Sequence, residues 1–209
     1  MDNLERRSLP LPLTAETRED GVVVIRGMAA RFQTRSVDLG GFTEEIMPGA
    51  FDSVMQQQDR NIVSAWNHNM DIPLGSERSG TLRVFLTDDG LGYEVNPPAT
   101  RADIVELIRI GIAYGSSFAF TIAREGGEEW SRDENGRPLR LVRAVANVYE
   151  LGPVLTPAYA DTSVTVARRS LERFLQTDRP ALVLPTLKRN AKSEKSIRRF
   201  LRRHGYKVG

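Results

Sequence analysis

Three residues of this chain have the side-chain types of a nucleophile, its base and the acid that orients the base: Ser117, His68 and Glu150. His68, in Trp66-Asn67-His68-Asn69, is one of only two histidines. Imidazole, with an ordinary pKa near about 6.5, can take a proton and return it at neutral pH. Ser117 lies in Gly115-Ser116-Ser117-Phe118-Ala119-Phe120, which alternates as a strand does. One face of that strand holds Ser116, Phe118, Phe120 and Ile122 and belongs to the core. The other holds Ser117, Ala119, Thr121 and Ala123, small enough for an extended peptide to approach, which selects Ser117 over Ser116. Glu150 continues the apolar stripe Val142, Ala144, Ala146, Val148. A carboxylate there is costly without a partner, and an imidazole N–H would serve. The other histidine, His204, sits among Arg202, Arg203 and Lys207, where positive charge disfavours its protonated form.

Other chemistries find less support. The chain has no cysteine, which removes thiol nucleophiles, disulfides and thiolate metal sites. Two distant histidines and no acidic cluster at ligand spacing give no metal constellation, and no phosphate-cradling glycine loop is present. No cofactor is therefore expected. No apolar run approaches the roughly 20 residues of a membrane helix. The first residues lack the apolar stretch of a signal peptide, so the reading is of an intracellular, soluble protein.

The elements that must position these residues are mostly strands. Residues 1–20 are polar and proline-bearing, without a sustained period, and are expected to be a mobile arm. A β-rich body follows over 21–167. It holds a bent strand from Val22 to Phe32, a short helix from Met47 to about Gln58, and a strand from Asn61 to Trp66 that delivers His68 into a loop. Thr81–Thr87 and Leu91–Val95, joined by Asp88-Asp89-Gly90, read as a hairpin. Thr100 and Asp103 resemble a capping box opening a helix. Strands at Ser116–Arg124 and Leu139–Leu151 flank a polar loop, and helices are expected from Ser163 to about Gln176 and from Ser193 to His204. The fold class is mainly β or α+β, an antiparallel barrel or sandwich with helices around it. Residues 168–209 form a basic, helical or disordered tail, with thirteen Lys and Arg against three Asp and Glu, while the preceding residues are net acidic.

These stretches resemble the prohead serine proteases of HK97-type tailed phages, over about residues 21–167. The marks are Glu45-Ile46-Met47-Pro48-Gly49-Ala50-Phe51, Asn67-His68 with Pro73-Leu74-Gly75, Gly115-x-Ser117-x-x-Phe120, and Glu150-x-x-x-Val154-x-x-Pro157-Ala158. Each is weak alone, and four in this order are fairly specific. The resemblance implies a β-barrel surrounded by helices, as in herpesvirus assembly proteases. It implies a serine endopeptidase in the bacterial cytoplasm, enclosed in the assembling prohead. Such an enzyme trims scaffold or capsid-protein extensions and digests itself. His68 matches the family histidine and Ser117 its nucleophile, while the third role falls to Glu150 or to an acid the sequence does not identify. Ala119 stands where a glycine is common, and Gly152-Pro153 replaces a more usual serine-containing segment. Backbone N–H groups would hold the oxyanion, with an arginine such as Arg143 a possible aid. Expected partners are the major capsid or scaffold protein as substrate, with self-association left open and no membrane partner. The rival reading is a non-catalytic assembly factor whose basic tail binds capsid or nucleic acid. For the tail itself, a solvated helix or a peptide retaining the protein in the shell is preferred to a nucleic-acid binder.

Overall fold

Runs rich in Val, Ile, Phe and Tyr, punctuated by glycine, proline and aspartate, form strands of four to ten residues. The computed structural model describes residues 3–155 and 165–178. Its first strands are Glu5–Leu9 (β1), Leu13–Thr17 (β2), Val23–Arg31 (β3), Thr43–Ile46 (β4), Val63–Trp66 (β5) and Asn69–Ser76 (β6). Leu82–Thr87 (β7), Gly90–Val95 (β8), Gly115–Ile122 (β9), Glu128–Arg132 (β10), Pro138–Val142 (β11) and Val145–Val154 (β12) follow. The helices are Asp52–Met55 (α1), Ala102–Arg109 (α2) and Thr165–Thr177 (α3), with a 3-10 turn at Ala99–Arg101. Among the described residues no helix is long and apolar enough to cross a membrane. The helix expected at 193–204, His204 and the Pro157-Ala158 end of the last motif lie outside the described residues.

The fold is mainly β, but the strands do not close into the expected barrel. They pair as three sheets, ordered β1-β9-β12-β5-β6, β10-β11-β4 and β2-β3-β8-β7. Two of the pairings, β12 with β5 and β11 with β4, are parallel rather than antiparallel. The physical reason for an open edge lies in β6. Pro73 has no N–H to extend a ladder, and β6 pairs with β5 alone, through two register shifts. The chain then turns through residues 77–81 and starts a different sheet.

The first twenty residues are not a loosely added arm. β1 pairs antiparallel with β9 from Glu5↔Phe120 to Leu9↔Ser116, and β2 pairs with β3. The polar sequence of β1 misleads because Glu5 and Arg7 are buried with charged partners. Arg7 donates to Glu44 at 2.8 Å and to Glu5 at 2.7 Å, and Arg140, 1% exposed, donates to Glu5, Glu44 and Glu128 at 2.6–2.9 Å. Burial opposes charge on Glu44, yet the guanidiniums of Arg7 and Arg140 prevail and hold its carboxyl below the usual range. Burial likewise opposes charge on Arg140, and the carboxylates of Glu5, Glu44 and Glu128 outweigh it, raising its pKa.

Other local expectations fared unevenly. The β7–β8 hairpin is present, with Thr87 paired to Gly90 across Asp88-Asp89. β3 carries its bulge between Met28 and Ala30. The Thr100–Asp103 capping box does not form: α2 is preceded by Arg101 and has no side-chain cap. The segment 125–138 is not all loop, since β10 pairs there with β11. The long strand expected from Leu139 breaks at Arg143-Ala144, where the chain passes from the sheet of β11 to that of β12. The main core holds Phe51, Phe118, Phe120, Tyr93 and Leu151 among others, with Phe118 and Phe120 stacked at 4.7 Å between centroids. A second cluster joins Leu39 and Phe42 to Ala167 and Leu171 of α3.

Candidate active site

His68 is delivered by a tight turn rather than by a loop. Trp66 and Asn69 pair across Asn67-His68, and both central residues have positive φ, 49° and 59°. Two positive φ values are what a two-residue hairpin matched to strand twist requires. Asparagine tolerates this region, whereas for histidine it is uncommon and is held only by the surrounding structure. Asn67 supplies much of that hold. Its N–H donates to the Pro153 carbonyl at 3.1 Å, and its side-chain oxygen accepts from the Leu155 N–H at 2.9 Å. The turn is thereby fastened to the end of β12. β6, which follows it, replaces the loop expected after His68.

Ser117 lies in β9, between β1 and β12, facing Ser8 on one side and Gly152 on the other. Its hydroxyl is 2.5 Å from His68 Nε2. Ser116, on the opposite face, meets the Tyr93 hydroxyl at 3.0 Å. Burial, with the nearby Glu150 charge adding to it and the Ser116 bond working against it, pushes the Tyr93 phenol well above its ordinary pKa, so it stays neutral. The alternation of the strand turns Ser117 toward His68 and Ser116 toward Tyr93. The expected open approach is not there: Ser117 is fully buried, and β1 covers the edge of its strand.

Glu150 is 6% exposed and its carboxylate lies 2.6 Å from His68 Nδ1. A register shift between Val148 and Glu150 interrupts the simple alternation and re-aims the acid. With the carboxylate accepting from Nδ1–H, neutral imidazole presents Nε2 as an acceptor toward the serine. The buried acid thus has the imidazole partner its environment calls for. Two strands, β5 and β9, are brought to this geometry by β12, which pairs with both. Gly152 makes that approach possible. A Cβ there would stand 2.4 Å from the Ala65 carbonyl oxygen. What looked in the sequence like a departure from pattern is a steric requirement at the back of the site.

The arrangement can do acyl-transfer chemistry: a base aligned on a hydroxyl, and an acid fixing the base. Sequence reasoning missed two neighbours of the nucleophile candidate. Ser8 donates to the Ser117 hydroxyl at 2.8 Å, and the Arg7 carbonyl accepts from it at 2.8 Å. Neither carried a local signal, whereas Asn67, beside the histidine, did, since asparagine is enriched at positive φ. Arg143 does not face the site. It is bound to Glu129 at 2.6 Å, next to the end of β12 that pairs with Ile122 rather than Ser117.

The comparison with known families agrees in class. The profile of the caudovirus prohead serine proteases matches residues 10–177, most of the chain. The chain belongs to that family, a family of phage proteases of the serine type. No curated protein and no solved structure matches it.

Proposed function

We propose that the protein is a serine endopeptidase of prohead maturation, with Ser117 as nucleophile, His68 as general base and acid, and Glu150 as the group that orients and charges-balances the imidazole. The observation that carries this reading is the unbroken line Glu150–His68–Ser117, with contacts of 2.6 and 2.5 Å. In the reaction, His68 Nε2 takes the hydroxyl proton as Oγ bonds to the scissile carbonyl carbon. The C–N bond then breaks, the imidazolium gives its proton to the leaving amine, and water attacks the acyl-enzyme by the same base. Glu150 accepts from Nδ1–H and stabilises the imidazolium.

Family membership and the buried triad together favour a protein substrate available inside the assembling shell, namely scaffold or capsid-protein extensions, with self-digestion included. A relation to the herpesvirus assembly proteases, without the closed barrel, is part of the same proposal, as is action inside the prohead in the host cytoplasm. The test is coexpression with the capsid precursor. Ser117→Ala should leave the precursor untrimmed while shells still assemble, read by mass spectrometry of the capsid N-terminus. Normal trimming by that variant would dispose of Ser117 as nucleophile and leave the assembly-factor reading in its place.

A further inference from the structure

The Ser117 hydroxyl has one proton to give, and two acceptors compete for it: His68 Nε2 at 2.5 Å and the Arg7 carbonyl at 2.8 Å. The Ser8 hydroxyl donates to the same oxygen at 2.8 Å. Two of its three polar neighbours therefore come from β1. An extended peptide, antiparallel to the nucleophile strand with a carbonyl oxygen in hydrogen-bond contact with Oγ, has the form that a peptide substrate added to this edge would take. We propose that β1 is a resident pseudosubstrate: the chain's own N-terminal strand occupies the edge of β9 where an extended polypeptide is presented to Ser117, and displacing it opens the site. This rests on the serine-protease reading and assigns its regulation.

Several features make β1 suited to leave. It is an edge strand, so its departure breaks a single ladder, that with β9. It is joined to β2 through Pro10-Leu11-Pro12, two residues of which have no N–H to anchor the connection. Its buried charges also balance within the strand. Glu5 and Arg7 pair with each other at 2.7 Å, and when both depart Arg140 keeps Glu44 and Glu128. No lone charge is stranded in the interior by the exit, which removes the main cost of exposing such a network. A cavity of about 60 Å³ lies against β1, lined by Arg7, Ser8, Leu9 and Ile46 among others, so the strand is not tightly packed on that side. β1 also precedes the span matched by the family profile, which starts at residue 10.

The experiment measures the rate at which a fluorophosphonate labels Ser117 in the full chain, in the full-length double variant Glu5→Ala/Arg7→Ala, and in a chain beginning at Pro10, with Ser117→Ala as the blank. If the open form is a minor population of the resting protein, loosening or removing β1 should speed labelling about ten- to a thousandfold. Hydrogen exchange on the unaltered full chain is the companion measurement, independent of how the variants fold. Amides of β1 should exchange through a local opening, faster than those of β12. Equal labelling rates in all serine-containing forms, or β1 amides protected as strongly as β12, would overturn the pseudosubstrate while leaving the catalytic reading intact. Absence of labelling in every folded form would instead remove the catalytic reading, and this inference with it.

Discussion

Gly152 stands directly across the β9–β12 ladder from Ser117, and its α-carbon faces the backbone of Ala65, three residues before His68. The strand that holds Ser117 and the strand that leads to His68 thus meet over one glycine. A methyl group there would lie 2.4 Å from the Ala65 oxygen and 3.1 Å from the Ala65 nitrogen, both backbone atoms that cannot swing aside.

Gly152→Ala should therefore cost about 1–3 kcal/mol of stability, as overpacking does, and should also move β5 relative to β9. Chemical denaturation would read the first effect and kcat/KM on a capsid-derived peptide the second. A variant with wild-type turnover would show that the contact gives way without disturbing the line from Glu150 to Ser117.

Glu150→Gln keeps the shape of the side chain but removes its charge and its preference for the Nδ1–H tautomer. Turnover should fall about 10²–10⁴-fold, with residual activity above that of Ser117→Ala, since binding and oxyanion contacts survive. Unchanged kcat would move the orienting role to another residue.

Asn67 allows a sharper contrast. Asn67→Gly keeps the positive φ and loses only the side-chain bond to Leu155, whereas Asn67→Ala also strains the backbone at φ 49°. Alanine should be the less stable of the two by about 1–2 kcal/mol. Both should lower kcat more than they raise KM, because the turn positions the imidazole. Equal stabilities would mean that the turn relaxes to a different conformation.

The buried charge cluster predicts a pH dependence. Glu44 has a carboxyl pKa held below its unfolded value, so it binds fewer protons folded than unfolded as pH falls through about 4.3. Its stabilisation is complete above that pH and is lost as pH drops through the lowered folded value. Urea unfolding from pH 7 down to pH 3 should show stability declining at the acid end. Glu44→Gln should be about 3–5 kcal/mol less stable at pH 7, with a flatter acid limb, because it removes the buried carboxylate that Arg7 and Arg140 share. An unchanged acid limb would relocate the titration to other carboxylates.

The rarity of histidine and the strict alternation around Ser117 made the central pair readable from the sequence, and the apolar stripe ahead of Glu150 made its need for a partner readable too. The surroundings were not. Glu5, Arg6 and Arg7 look like a solvated arm because local sequence says nothing of Arg140, 135 residues away from Glu5, or of Glu44, 37 from Arg7. Pro73 argues for a loop when read locally, yet sits on an edge strand where its missing N–H costs nothing. Parallel pairing between β12 and β5 carries no local mark, since alternation shows which face a residue takes and not which strand lies beside it. The barrel was inferred from strand count, and closure depends on those unmarked neighbours.

β12 is the last of the described strands, and it lies between the strand bearing Ser117 and the one leading to His68. During translation His68 and Ser117 leave the ribosome before the strand that lies between theirs. A nascent chain ending short of β12 lacks both Glu150 and the strand that pairs with β5 and β9, so the line from Glu150 to Ser117 is assembled only when synthesis of the body is nearly finished.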